Sequence, residues 1–196
     1  MTKAEIEVNK MFLKQIIKSH TKFIAGDTDN ILGDFHFEIS QDMLNVYSSD
    51  GYKALKSTVE INNISKNDVS FTVNGEFMKN LMIISNVEQA LCICLDENEV
   101  IFTDKASGTV QKCMCAEGIF PKVQKLLDTC NYNDKNYKII FNKKFFKDLD
   151  VLYCDNKTPL LRLNFNKEDP LKPIIAFNCS QNLKQTAILI PVQVKE

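Results

Sequence analysis

Three times along the chain the hydrophobic periods run in one order: a strand, a helix, then three strands. Residues 4–8, AEIEV, alternate as a strand, and residues 9–22, NKMFLKQIIKSHTK, switch to a helical period with Asn9 at the N-cap. Leu13, Ile16, Ile17 and His20 fall on one side of that helix as a core-facing stripe. Strand periods follow at 31–40, 43–49 and 52–61. The second pass has a strand at 68–73, a helix at 74–84, and strands in EQALCICL, EVIFTD and TVQKCMC. The third has a strand at 136–141, a helix at 142–153 capped by Asn142, and strands in LLRLNFN, LKPIIAFN and TAILIPVQV. Identity between the passes is low, so the pattern repeats while the sequence does not. A unit of this kind has one helix to cover part of one apolar sheet face. Two units side by side bury a common core, which predicts an α+β fold with helices on one face of antiparallel sheets. Residues 116–135 contain Gly118, Pro121, a short helical run and an Asn/Asp-rich loop, which sets a boundary between residues 1–128 and 129–196.

Composition narrows the function. A 44% hydrophobic chain of net charge -1 has a real core and is neither disordered nor a strongly basic nucleic-acid binder. Residues 137–196 carry ten Lys and Arg against six Asp and Glu, so the remainder is acidic. No signal-like or 18-residue apolar span is present, and the expectation is a cytoplasmic protein without a membrane partner. Seven cysteines at irregular spacing do not read as a disulfide framework. Cys92/Cys94 and Cys113/Cys115 lie in strand-like runs, where partners two apart share a face, and read as small reduced apolar residues more readily than as zinc ligands.

No enzyme emerges. There is no phosphate loop, no Gly-x-Ser-x-Gly elbow and no His-Glu-x-x-His helix. Asp27, Asp29 and Asp34 lack the spacing of a calcium loop and read as a solvated acidic loop. Of the two histidines, His20 reads as a core-edge residue and His36 alternates with Phe35 and Phe37 in a strand. No catalytic residue, metal or cofactor is expected.

Several segments, in order, resemble the bacterial DNA polymerase III sliding clamp, the beta-subunit family. DNILGDFHFEI (29–39) resembles the strand entering that family's middle domain, and SDGYKAL (49–55) its Thr-Asp-Gly-His/Tyr-Arg-Leu segment. AEGIFPKVQKLL (116–127) resembles the Glu-Gly-x-Phe-Pro segment leading out of that domain, and DPLKPIIAF and AILIPVQV its closing strands. The resemblance implies that units one and two correspond to the middle domain and unit three to the second half of the last. The first domain and half of the last have no counterpart, so the family's two-subunit ring does not transfer directly.

What the resemblance implies for function is a non-catalytic replication or repair clamp. Its groove would take short linear peptides of DNA polymerase, clamp loader or repair proteins. The matching positions are Ser49, Gly51, Tyr52, Lys53 and Ala54, with Ile188, Ile190, Pro191 and Val192 in the tail. Lys53 stands where arginine is common and Ala54 where leucine is common. From the residues alone, DGYKAL reads more readily as a hairpin turn and AILIPV as a core strand ending in a frayed tail. The family's helices face double-stranded DNA. The lysines that could do so here are Lys10, Lys14, Lys18 and Lys22 on helix one, Lys79 on helix two, and Lys143, Lys144 and Lys147 on helix three, with Lys122 and Lys125 as weaker candidates. The plainer reading is that these lysines are solvated. The alternative function is an adaptor or inhibitor that binds a full-length clamp or its partners without encircling DNA.

Unit three alone is about sixty residues with an open sheet edge, too little to stand by itself. Either it packs on the edge of unit two in the same chain or it pairs with unit three of a second copy, and the dimer is the favoured expectation.

Overall fold

The switch from a two-residue to a 3.6-residue period decides where strands give way to helices. The computed structural model describes residues 2–26, 30–83, 89–129, 143–153, 161–166, 168–169, 171–178, 180 and 183–191. In chain order these form β1 (Thr2–Asn9), α1 (Lys10–His20), a 3-10 turn (Ile31–Gly33), β2 (Phe35–Ser40), β3 (Met43–Ser49) and β4 (Lys53–Glu60). Next come β5 (Asn62–Asn63), β6 (Val69–Val73), α2 (Gly75–Asn80), β7 (Ala90–Asp96), β8 (Glu99–Asp104), β9 (Thr109–Met114) and α3 (Val123–Thr129). The last elements are α4 (Lys143–Asp148), which runs on into a 3-10 turn (Leu149–Val151), then β10 (Leu161–Asn164), β11 (Ile174–Asn178) and β12 (Lys184–Leu189). The class is α+β, as the periods imply. The strand expected at 136–141 lies outside the described residues.

Asn9 caps α1 as expected, its side-chain oxygen accepting the N–H groups of Met11 at 2.9 Å and Phe12 at 3.4 Å. Asn74 does the same for α2 through Glu76 and Phe77. Helix α2 is shorter than expected. The Asn80 side-chain amide donates to the Glu76 carbonyl at 2.9 Å, and Leu81 turns extended.

Strands are exchanged between the first two units. β1 of unit one pairs with β7 of unit two, and β6 of unit two pairs with β2 of unit one. The result is a five-stranded sheet, β5-β1-β7-β8-β9, and a seven-stranded sheet, β10-β11-β12-β4-β3-β2-β6, with antiparallel neighbours throughout. Their apolar faces enclose one core with α1 and α2, including Leu13, Ile16, Phe37, Met78, Ile93 and Phe102.

The expectation for unit three needs correction. Its last strand pairs within the chain, and with unit one instead of unit two: β12 lies against β4 from Lys184↔Thr58 to Leu189↔Lys53. The free backbone edge that motivated a dimer is therefore satisfied on this side. Beneath the junction, Phe23 and Leu55 pack with Leu149, Leu152, Ile174 and Leu189. A polar set ties the same elements together. Gln15 Nε2 and Ser19 Oγ donate to the Val151 carbonyl at 2.7 and 2.6 Å. Ser57 Oγ lies 2.8 Å from His20 Nε2 and accepts from Gln185 Nε2 at 3.0 Å, while Gln185 Oε1 accepts the Tyr153 N–H at 2.6 Å.

A candidate partner-binding face

The turn joining β3 to β4 is built by Asp50. Its carboxylate accepts the N–H groups of Tyr52 and Lys53, each at 3.0 Å, and the Asp50 N–H donates to the Lys53 carbonyl at 3.2 Å. Gly51 takes φ +88°, a conformation natural to glycine. Tyr52 is left at the tip with 68% of its surface exposed. The Ile190 N–H donates to the Tyr52 carbonyl at 3.2 Å, so the turn and the chain beyond β12 are held side by side.

Successive residues of a strand point to opposite faces, and this divides the expected groove residues. Ser49, Ala54 and Ile188 are direct cross-strand neighbours on the face away from α1 and α4, which we call the outer face. There Ala54 and Ile188 pack with Tyr47, Phe120 and Val123, with Ile190 beside them. Lys53 is different, and here the expectation is corrected. It lies opposite Leu189 on the inner face, where its ammonium pairs with Asp148 of α4 and sits over the rings of Phe23 and Phe145 at 5.1 and 5.4 Å. It is buried on the face opposite to that of Ala54. Pro191 is half-buried, and Val192 lies outside the described residues.

Sequence reasoning placed no groove residue in the segment 118–128, whose Lys122 and Lys125, the weaker DNA-facing candidates, are exposed. Phe120 stacks on His36 at 5.0 Å, and Gln124 accepts from Lys56 Nζ at 2.5 Å. Between this segment and β2–β3 lies a cavity of about 580 Å³, lined by His36, Glu38, Tyr47, Phe120, Gln124 and Asp128 among others. Burial lowers the His36 and Lys56 pKa values and raises that of the Tyr47 phenol, each shift disfavouring the charged form.

The helix lysines separate just as clearly. Lys10 is 1% exposed and pairs with Asp104 at 2.6 Å, so it does not reach the surface: a correction to the expected four-lysine stripe. The bond from Lys10 holds the Asp104 carboxyl below its ordinary range. Lys18 and Lys22 are exposed and Lys14 is half-buried. Lys79 bridges to Glu76 at 3.3 Å. Lys144 and Lys147 are exposed on α4, and the side chain of Lys143 lies outside the described residues.

Among the described residues no group of three or more His, Cys, Asp and Glu could hold a metal. Burial pushes the Cys92 and Cys113 thiols up to about 11, keeping them protonated. Asp34 is buried, in contrast to the solvated loop expected, and accepts the Gly75 N–H at 3.0 Å. Asp27 and Asp29 lie outside the described residues. No described helix is long and apolar enough to cross a membrane.

No family model matches the chain, and no curated protein does. Solved structures match it over almost its whole length. A putative DNA polymerase III beta subunit from Eubacterium rectale is similar with a TM-score of 0.77 at 20% identity, over 97% of this chain and 66% of that one. The beta subunit of Thermotoga maritima gives 0.79 at 15% identity, over 98% and 66%. A Helicobacter pylori beta clamp bound to a DNA ligase peptide gives 0.74 at 16% identity, over 99% and 67%. The chain thus spans about two thirds of the length of these clamps, 66% for the first. At these identities the likeness establishes the fold, which is that of the bacterial sliding clamp.

Proposed function

We propose that this chain is a shortened, divergent sliding-clamp homologue of DNA replication or repair, non-catalytic and cytoplasmic, that receives short linear peptides at the Asp-Gly turn. In this reading residues 1–128 act as the clamp-like domain and 129–196 as a half-domain docked upon it. The observation that carries it is the exposed Tyr52 ring on a turn tied to the partly exposed Ile190, beside the apolar cluster of Ala54, Ile188, Phe120 and Val123. A clamp of the same fold is known with a DNA ligase peptide bound. An exposed ring beside a partly exposed isoleucine suits an aliphatic or aromatic anchor, because little ordering is needed before the ring is covered. Fluorescence anisotropy with a labelled linear peptide from a bacterial DNA ligase or polymerase is the test. Tyr52→Ala is expected to weaken binding about tenfold with the fold unchanged. Absence of binding by the parent, or an unchanged affinity in the variant, would sink the reading.

The surviving lysines give a separate expectation about DNA. Lys14, Lys18, Lys22, Lys144 and Lys147 form a helix-side set smaller than the sequence suggested. Contacts of this kind are to phosphate and carry little sequence preference. Replacing Lys18 and Lys22 together by Gln should lower the salt dependence of duplex binding by about two units of slope. An identical slope in parent and variant removes these two lysines from any DNA-facing surface.

The adaptor reading keeps one observation in its favour. Among the described residues β9 has a single strand neighbour, β8, so its edge offers backbone groups to another clamp. Co-migration with a three-domain clamp in size-exclusion chromatography supports it, and separate elution counts against it.

A further inference from the structure

Of the 24 basic residues, Arg162 is the only arginine. It stands exposed on β10, and its side chain makes no hydrogen bond or ion pair among the described residues. Arginine differs from lysine in its rigid planar fork, which grips a carboxylate through two parallel N–H···O bonds.

Its neighbours follow from register. Arg162 lies opposite Phe177, and Phe177 opposite Thr186. Lys184 and Asn164 are two residues along their own strands and share the face. Together these five line a pocket of about 550 Å³ on the outer face. Asn178 and Gln185 also line it but are committed to the protein: Asn178 Nδ2 donates to the Tyr153 and Leu183 carbonyls at 2.8 and 2.7 Å. Among the described residues the side chains of Arg162, Lys184, Asn164 and Thr186 have no such partners, and no described carboxylate lines the pocket. The result is two cations, unpaired among the described residues, beside an aromatic ring.

The same registers carry the pocket toward the Asp-Gly turn. One row of the outer face runs Asn164, Ile175, Ile188, Ala54, Ser49 from β10 to β3. Strands sit about 4.8 Å apart, so β10 is about 10 Å from β12, a span of three extended peptide residues.

We infer that the Arg162 pocket binds the acidic flank of a linear peptide whose apolar anchor sits at Tyr52 and Ile190, with a Glu or Asp carboxylate gripped by Arg162 and Lys184. This rests on the peptide reading of the Asp-Gly face and adds to it the charge of the partner. Continuity of the outer face with the Asp-Gly turn favours a peptide over a free nucleotide.

The test uses two labelled, end-blocked peptides with the same Leu-Phe anchor. One carries Glu three to five positions to each side, and the other carries Gln there. The full chain is expected to bind the Glu peptide about tenfold more tightly than the Gln peptide. Arg162→Lys should reduce that preference to about twofold, since a point charge replaces a fork. Tyr52→Ala should weaken both peptides and leave the ratio intact. Arg162 is exposed, so an unchanged melting temperature will show that its variant folds. Equal binding of the two peptides, or a preference that survives Arg162→Lys, overturns the inference. So does displacement of the Glu peptide by thymidine monophosphate at equal concentration, which would make this a phosphate site. If neither peptide binds, the groove reading fails by itself, and the pocket is then read with a blocked hexaglutamate. Arg162-dependent binding retains the pocket, and none overturns it too.

Discussion

Lowering the pH from 7 to 4.5 is expected to cost the folded state about 2–3 kcal/mol through His20 alone. The imidazole is completely buried between α1 and β4, and burial lowers its pKa to about 3. In the unfolded chain histidine titrates near 6.5. Between those values the unfolded state binds the extra proton and the folded state refuses it, so stability is fully present above about 6.5. It then falls by about 1.4 kcal/mol per pH unit as the pH drops toward 3. His20 reaches Ser57, and Ser57 reaches Gln185 of β12, so the strain of protonation falls on the junction with unit three. Urea unfolding at pH 7, 6, 5 and 4.5 checks this in the parent and in His20→Gln. The variant is expected to be less stable at pH 7 and to lose the His20 share of the slope. Parallel slopes in the two proteins would show that another group carries the acid sensitivity.

The second large effect is a methyl group. A Cβ built on Gly75 lies 1.9 Å from the backbone oxygen of Gly33, a contact no rotamer can relieve because both sides are main chain. Gly75→Ala is expected to destabilise the fold by about 3 kcal/mol or more, at the upper end of overpacking effects. The consequence reaches the binding face. Gly33 ends the 3-10 turn, whose Leu32 side chain is 3.7 Å from where a Cβ on Gly51 would lie and whose Ile31 is 3.5 Å from the same point on Gly118. Shifting that turn pushes on both the Asp-Gly loop and the segment bearing Phe120. Peptide affinity should therefore fall together with the denaturation midpoint. Gly26→Ala is the control: nothing lies within 4 Å of its Cβ position, and stability should change by no more than about 0.5 kcal/mol. Equal stability of the two variants would mean that the Gly33–Gly75 approach is not rigid.

Local features of the fold were readable because their causes are local. Asn9 followed by a helical period gave α1, and Asp50-Gly51 gave the turn that raises Tyr52. Lys10 was misread because a lysine every four residues describes a stripe on an isolated helix. Its carboxylate partner, Asp104, is 94 positions away on β8. Lys53 was misread for a related reason: a motif aligned by sequence says nothing about which sheet face each member takes. The joining of unit three to β4 was out of reach, since hydrophobic alternation marks a strand without naming its neighbour. The lone arginine was visible in the composition all along, but it gained meaning only when Phe177, Thr186 and Lys184 were seen beside it.

The β12–β4 ladder also bears on the order of events at the ribosome. Leu189, which faces Lys53, is made 136 residues after it. At about 5–20 residues per second, β4 waits roughly 7 to 27 seconds for its permanent neighbour. For that interval units one and two can interlock through β1 and β6, while β4 presents an open hydrogen-bonding edge. A nascent chain in this state is a natural target for holding chaperones, and closure of the seven-stranded sheet is a late, long-range step.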